Sequence, residues 1–103
     1  MKHHIHTRMN QKMSDNIVYI GRKPVMAYVM AVITAFRDNP EQVVIRARGR
    51  SISIAVDVAE VTKNNYLSNI TDTVTIGTEV LESDGGTRNV STIQITLNKS
   101  HEA

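Results

Sequence analysis

The spacing of apolar residues predicts two strand–helix units in the first two thirds of the chain. Residues 17–20 form a short, β-branched apolar run that is typical of a buried strand and ends at Gly21. Pro24 is expected to open a first helix with an apolar core stripe, methionines included: Val25, Met26, Val29, Met30, Ile33 and Phe36. Residues 43–48 predict a second strand. Ser51 is then expected to cap a second helix that ends near Tyr66 and buries Ile52, Ala55, Val56 and Ala59.

The last third of the chain alternates with a period of two, which predicts an antiparallel hairpin. Val74, Ile76 and Val80 alternate with polar residues, and Ile93, Ile95 and Leu97 do so after the turn at residues 83–86. At about 3.4 Å per residue, the strand from Thr71 to Glu82 would overshoot the first helix by roughly 20 Å. The predicted fold is therefore an α+β two-layer β-α-β-α-β-β sandwich with a long protruding hairpin.

Such a hairpin has two uses that the sequence alone leaves open. A ribbon that stands clear of the core needs a partner, because two strands by themselves are unstable in water. An arm with Arg88 near its tip suits a nucleic-acid groove. The alternative is a mobile hairpin that makes contacts between subunits.

Composition limits the chain to one small domain. It has 103 residues, 41% of them hydrophobic and 4% aromatic, so aliphatic side chains and methionine must build the core. The absence of cysteine excludes disulfides and thiolate metal sites and fits an intracellular, cytoplasmic protein. No apolar run approaches the roughly 20 residues of a membrane span, so no membrane association is expected.

The expected domain covers residues 17–99, between a disordered N-terminal tail over residues 1–16 and a C-terminal tail over residues 100–103. His3, His4 and His6 lie in the first tail, where they could bind a metal weakly. A solvated tail explains them more simply. We therefore expect no metal site and no cofactor.

The placement of the basic residues is more informative than the net charge of +2. A strand–helix–strand crossover makes the first two strands parallel, so the segments that follow them leave the sheet at the same edge. Five cations should converge there: Arg22, Lys23, Arg46, Arg48 and Arg50. Each segment leads into a helix N-terminus, where a cation is unfavourable by about 0.3–1 kcal/mol. A bound phosphate would relieve that repulsion, whereas the alternative is a set of ordinary solvated charges.

Nothing in the sequence predicts catalysis. A metal-dependent nuclease needs clustered carboxylates, and acid–base chemistry needs histidines held in a folded region. The acidic residues here are scattered, and all four histidines lie in the tails. Asp57 and Glu60 share one helix face, but a solvated helix surface explains them. We predict a binding protein with no catalytic residues rather than an enzyme.

Four segments resemble motifs of the Alba family of archaeal DNA- and RNA-binding chromatin proteins, in order and spacing. They are Gly21-Arg22-Lys23-Pro24-Val25-Met26, Arg46-Ala47-Arg48-Gly49-Arg50, Ala55-Val56-Asp57-Val58-Ala59-Glu60 and Asn89-Val90-Ser91-Thr92-Ile93. The resemblance covers about residues 16–99. It implies the fold of the C-terminal domain of bacterial translation initiation factor three.

The resemblance also implies a function. It implies a homodimer whose basic face coats and compacts double-stranded DNA without sequence preference, with hairpin arms in the minor grooves. Binding would extend to RNA, dimers could associate side by side, and the protein would be associated with the chromosome. The alternative is an RNA-binding structural subunit of a ribonucleoprotein, for which the same basic face would serve.

Individual residues match the family pattern to different degrees. Lys23 matches a DNA-contacting lysine, and Arg22 stands where the family often has an acetylated lysine, a modification that arginine cannot accept. Tyr66 matches an aromatic position of dimer–dimer contact. The nucleic-acid-binding residues implied in total are Arg22, Lys23, Arg46, Arg48, Arg50, Arg88 and Asn89. Departures from the pattern, which predict weaker duplex binding, are Ile54, Asn65 and the acidic arm residues Glu79, Glu82 and Asp84.

Overall fold

A computed structural model describes residues 16–100, and its elements follow the predicted β-α-β-α-β-β order. The strands are β1 (Ile17–Tyr19), β2 (Gln42–Arg48), β3 (Ile70–Ser83) and β4 (Gly86–Lys99). The helices are α1 (Val25–Asp38) and α2 (Ile52–Val61), and α2 is preceded by a 3-10 turn (Gly49–Ser51) and continued by a π turn (Thr62–Tyr66). The predicted tails, including the histidines at positions 3, 4 and 6, lie outside the described residues except for Asn16 and Ser100.

The four strands form one mixed sheet in the order β1-β2-β4-β3. β1 and β2 are parallel, as the crossover rule predicts, and the other two pairings are antiparallel. Both helices lie on one side of the sheet, where they contact β1, β2 and β4. Alternate residues of β2 therefore point into the core: Val43, Ile45 and Ala47 are buried, while Arg46 and Arg48 lie on the opposite, open face.

The hairpin projects well beyond the body of the sheet. β2 pairs with β4 only as far as Arg48 opposite Thr92, whereas β3 and β4 continue to pair up to the turn. Residues 78–83 and 86–91 therefore form a two-stranded arm, about 20 Å long at about 3.4 Å per residue. Asp84 and Gly85 make the two-residue turn, and Gly86 has a positive φ of 124°. The predicted protruding hairpin is confirmed.

The buried face of α1 differs from the predicted stripe. Met26 and Met30 are 43% and 49% exposed, so the prediction that the methionines belong to the core is wrong. The face that packs inward consists of Tyr28, Val29, Val32, Ala35 and Phe36. α1 is apolar around most of its circumference, so periodicity could not select the face that the sheet and α2 would cover. Val56 of α2 is likewise exposed, and Val58 is buried in its place.

The apolar side of β3 is uncovered, contrary to the pattern-based expectation of a half-buried strand. Val74, Ile76 and Val80 share the side of the sheet that carries the helices, but β3 is an edge strand and the helices leave these three side chains uncovered. Their exposed fractions are 53%, 78% and 59%. Alternation in the sequence reports which side of a strand is apolar, and only packing decides whether anything covers that side.

Candidate nucleic-acid interface

The two segments that follow β1 and β2 meet at one edge of the sheet. The Ile20 amide donates to the Arg46 carbonyl at 2.9 Å, which extends the parallel pairing to the last residue before the first loop. The Ser51 hydroxyl lies 3.5 Å from the Gly21 carbonyl, so the two segments also approach each other directly. Exposed cations surround this contact, and we call this set the basic edge: Arg22, Lys23, Arg48 and Arg50.

A buried tyrosine holds the first basic loop in shape. The Tyr28 hydroxyl accepts hydrogen bonds from the backbone amides of Gly21 at 2.8 Å and Lys23 at 2.9 Å. A Cβ at position 21 would lie 3.3 Å from that hydroxyl, so glycine lets the loop close around it. The backbone is thereby fixed while the side chains of Arg22 and Lys23 stay exposed. Sequence reasoning missed Tyr28, because its ring belongs to the apolar core and only its terminal oxygen acts on the loop.

Arg46 and Arg48 lie within β2, in agreement with the strand predicted over residues 43–48, so they do not belong to the segment that follows the strand, where the convergence of five cations was expected. Both lie in β2, and only Gly49 and Arg50 belong to the turn that follows. Arg46 pairs in register with Tyr19 on one side and Gln94 on the other. Its side chain therefore lies on the open face of the sheet, below the edge that carries the other four cations.

Arg48 is engaged within the protein by the base of the arm. Its guanidinium donates to the Glu79 carboxylate at 2.8 Å, and both side chains are about half exposed. Gly49, whose φ of +59° ends the strand, has the Val90 side chain beside it. The arm is therefore seated against the basic edge through both of its strands.

Neither helix has an acidic residue in its first turn. Ser51 stands at the start of α2, yet its side chain makes no capping hydrogen bond, so that prediction is wrong. The hydroxyl is directed to the Gly21 carbonyl instead. The partial positive charge of both helix ends thus adds to that of the surrounding cations, with no nearby acid in the first turns to offset it.

The other predicted site residues lie apart from the basic edge. Arg88 and Asn89 are exposed on the arm, opposite Leu81 and Val80. Tyr66 ends the π turn and is half exposed. Because the helical segment from residue 52 to 66 starts at the basic edge and rises about 1.5 Å per residue, Tyr66 lies roughly 20 Å from that edge.

An ion-pair cluster fastens the end of this helical segment to β3. Lys63 donates to Asp72 and also pairs with Glu60 at 3.2 Å. The hydrogen bond to Asp72, followed by that to Glu60, raises the pKa of Lys63 above its ordinary value. Both acids favour the charged ammonium, so Lys63 is occupied as a structural tie and is not available to a phosphate in this arrangement.

Two properties of residues 16–100 bear on the class of protein. No group of three or more histidine or acidic side chains there is placed to hold a metal ion. Within the same range, no helix is both long and apolar enough to cross a bilayer.

The fold and the basic edge define a small α+β domain with a cationic rim and a protruding hairpin. The Alba family model matches residues 16–80. The chain is 49% identical to the DNA/RNA-binding protein Alba of Methanothrix thermoacetophila over 82% of its own length and 97% of the relative's. It is 48% identical to the protein of the same name from Methanoculleus marisnigri, over 81% and 92% of the two lengths. This chain belongs to the Alba family.

The solved structures agree with this assignment. Alba from Thermoplasma volcanium superposes with a TM-score of 0.76 and 44% sequence identity, covering 82% of this chain and all of that one. The family resemblance drawn from four motifs is thus confirmed, as is the α+β fold. The relatives are named for binding and not for catalysis, which supports the expectation that the chain is not an enzyme.

Proposed function

We propose that this chain binds nucleic acid through the basic edge, coating and compacting double-stranded DNA as a chromosomal protein in the cytoplasm and also binding RNA. The observation that carries the proposal is the meeting of two cationic segments at the start of two helices, with no acid in either first turn. The names of the relatives describe DNA and RNA binding. Phosphate is the ligand that such a site suits best.

We propose that the working form is a homodimer. The side of β3 that bears Val74, Ile76 and Val80 is apolar and is left uncovered by the helices. Exposed apolar surface of this kind marks an interaction site. A second copy would cover it and would place two basic edges and two arms on one assembly. Tyr66 is then available for side-by-side contact between dimers.

We assign the arms to the minor groove. The arm is a narrow two-stranded ribbon whose base is fixed to the basic edge by Arg48–Glu79 and by Val90 against Gly49. Phosphate contacts at the edge would therefore fix where the arm enters the duplex. Arg88 and Asn89 are the arm's exposed donors for such a groove.

Replacing Lys23 by glutamate tests the binding site. Phosphate contacts do not read bases, so the affinity should fall by a similar factor for all duplex sequences. The slope of the logarithm of affinity against the logarithm of salt concentration should become shallower by about one for each lysine lost. Arg37→Glu is the matched control, because it makes the same charge change in the last turn of α1, away from the basic edge. A loss confined to one DNA sequence, or an equal loss in the control, would contradict the proposal.

Competition at matched salt decides between the two natural ligands. Duplex DNA and structured RNA are titrated against each other, and the footprint length on each is measured. Preference for DNA with footprints that extend as protein is added supports the coating role. Preference for one structured RNA with a fixed footprint would favour the alternative, a structural subunit of a ribonucleoprotein.

A further inference from the structure

The open face of the sheet, opposite the helices, bears more polar than apolar side chains and contains no acidic residue within its body. Strand alternation places thirteen side chains and Gly77 there. They are Ile17, Tyr19, Gln42, Val44, Arg46, Arg48, Thr71, Thr73, Thr75, Thr92, Gln94, Thr96 and Asn98. Asp72 lies on the other side of β3, and Glu79 lies above this region, on the arm. The face therefore carries two arginines, hydroxyls, amides, a single aromatic ring and the aliphatic side chains of Ile17 and Val44.

One row across this face combines four kinds of recognition group. Tyr19 is in register with Arg46, Arg46 with Gln94, and Gln94 with Thr75, so the row crosses all four strands. Neighbouring strands lie about 4.8 Å apart, which makes the row about 14 Å long. It presents a ring, a cation, an amide and a hydroxyl in that order.

The ring and the cation of this row are both unoccupied within residues 16–100. The Tyr19 side chain is 66% exposed, whereas Val18, the preceding residue of the same strand, points to the other side of the sheet and is buried. Neither the Tyr19 nor the Arg46 side chain makes a hydrogen bond or an ion pair there, in contrast to Arg48, which is held by Glu79. A flat face cannot enter a duplex groove, and paired bases do not offer their faces for stacking. Unpaired bases can stack on an exposed ring while a neighbouring cation neutralises the backbone.

We infer that the open face is a second binding surface, for single-stranded nucleic acid. One base stacks on Tyr19, Arg46 holds the adjoining phosphate, and Gln94 meets a base edge. This surface adjoins the basic edge through Arg48 but goes beyond the proposed coating of duplexes. It would let the protein hold an unpaired stretch beside a helical one.

Tyr19→Thr tests the surface, since threonine suits an exposed strand position but has no ring. Short oligouridine, short oligothymidine and a duplex DNA are titrated in parallel. Loss of one stacked base should weaken binding of the single strands about fivefold or more. Duplex affinity should stay within about twofold, because phosphate contacts at the basic edge are untouched. Tyr19→Phe keeps the ring and should keep the affinity for both single strands.

A direct measurement makes the test independent of the variant's folding. The chain has no tryptophan and three tyrosines, so stacking on Tyr19 should quench the tyrosine fluorescence of the unmodified protein. Absence of quenching by single strands, or an equal loss of single-strand and duplex binding in Tyr19→Thr, would overturn the inference. Failure of the unmodified protein to bind duplex DNA would instead overturn the proposed coating of duplexes. Single-strand binding by the unmodified protein and by Tyr19→Thr could still be compared in that case.

Discussion

At the scale of single residues, Tyr28 shows how one buried oxygen can organise a surface loop. Its ring packs in the core, and its hydroxyl accepts two backbone amides of the loop that carries Arg22 and Lys23. The two amides are satisfied without water, and the loop keeps one backbone path. A site whose backbone is already ordered loses less conformational entropy when it binds a ligand. The core thus contributes to the basic edge without contributing a charge to it.

Under the proposed function Glu79 would compete with nucleic acid for Arg48, because it is paired with this guanidinium at 2.8 Å. Exposed pairs of this kind are worth about 0.2–1 kcal/mol. Glu79→Gln should release Arg48 to a phosphate and tighten duplex binding by about two- to fivefold in a filter-binding or anisotropy titration.

Glu82→Gln is the matched control for Glu79→Gln. It removes the same charge from the same arm, and Glu82 has no side-chain partner among the described residues. The gain from Glu79→Gln should exceed that of the control and should disappear when Arg48 is also replaced by glutamine. Equal gains from the two substitutions would mean that overall charge, and not the pair, sets the affinity.

Thr62 carries the one buried side-chain polar atom without a hydrogen-bond partner in residues 16–100. It is fully buried where α2 passes into the π turn. Thr62→Val removes the unsatisfied hydroxyl and keeps the branched shape, so it should raise the free energy of unfolding by about 1 kcal/mol. Denaturant unfolding at one fixed protein concentration measures this change, because the proposed dimerisation would make stability concentration-dependent. Thr62→Ser keeps the hydroxyl and loses a methyl group, and a gain in that variant would contradict the explanation.

At the scale of elements, the hairpin has two parts with different neighbours. Below Gly77 and Thr92 it is part of a four-stranded sheet, whereas above them it is an isolated ribbon. The upper part has no described contact with the core other than at its base, where Glu79 and Val90 meet the basic edge. Folding of the domain should therefore depend little on the tip.

Deleting the tip from Asp84 to Thr87 should leave a folded dimer that binds duplex DNA more weakly and with a shorter site. The physical reason is that the arm makes few contacts with the core, whereas under the proposed function it would add contacts to the nucleic acid. Sedimentation reports the oligomeric state, and stoichiometric titration reports the site size. A deletion that produced monomers would show that the tip of the arm is needed for the subunit interface.

At the scale of the whole molecule, the proposed dimer sums the charges of two basic edges and two arms. Six cations per chain are candidates for phosphate contact: Arg22, Lys23, Arg46, Arg48, Arg50 and Arg88. If about half of those in a dimer reach one duplex, the logarithm of affinity should fall against the logarithm of salt with a slope near −5, from about −0.9 per contact.

The salt slope is measured by titrating one duplex at several salt concentrations. Binding should fall by more than about a hundredfold between low and moderate salt. Base reading should add little, so scrambling the sequence should leave the slope unchanged. A slope near −1 would contradict coating of the backbone and would leave the basic edge as a site for a single small anion.

The sequence by itself determined the order of elements, the crossover and the edge where the cations gather. These follow from local periods of 3.6 and 2, from Pro24 and Gly49 as boundaries, and from a handedness rule that holds for nearly all such crossovers. The hairpin's length was also predictable, since each strand adds a fixed rise per residue. Four short motifs were enough to indicate the Alba family, to which the chain belongs.

Only the tertiary structure decided which apolar surfaces are covered and which charges are engaged. α1 is apolar nearly all round, so the contacts with the sheet and α2 placed Tyr28 inside and Met30 outside. The pairing of Arg48 with Glu79, 31 residues apart, depends on strand register, which no local period encodes. Register likewise placed Arg46 beside Tyr19 on the open face rather than at the edge. A local sequence pattern indicates which conformation and environment a residue prefers. Its burial and its pairing partner depend on a second segment that only the fold brings next to it.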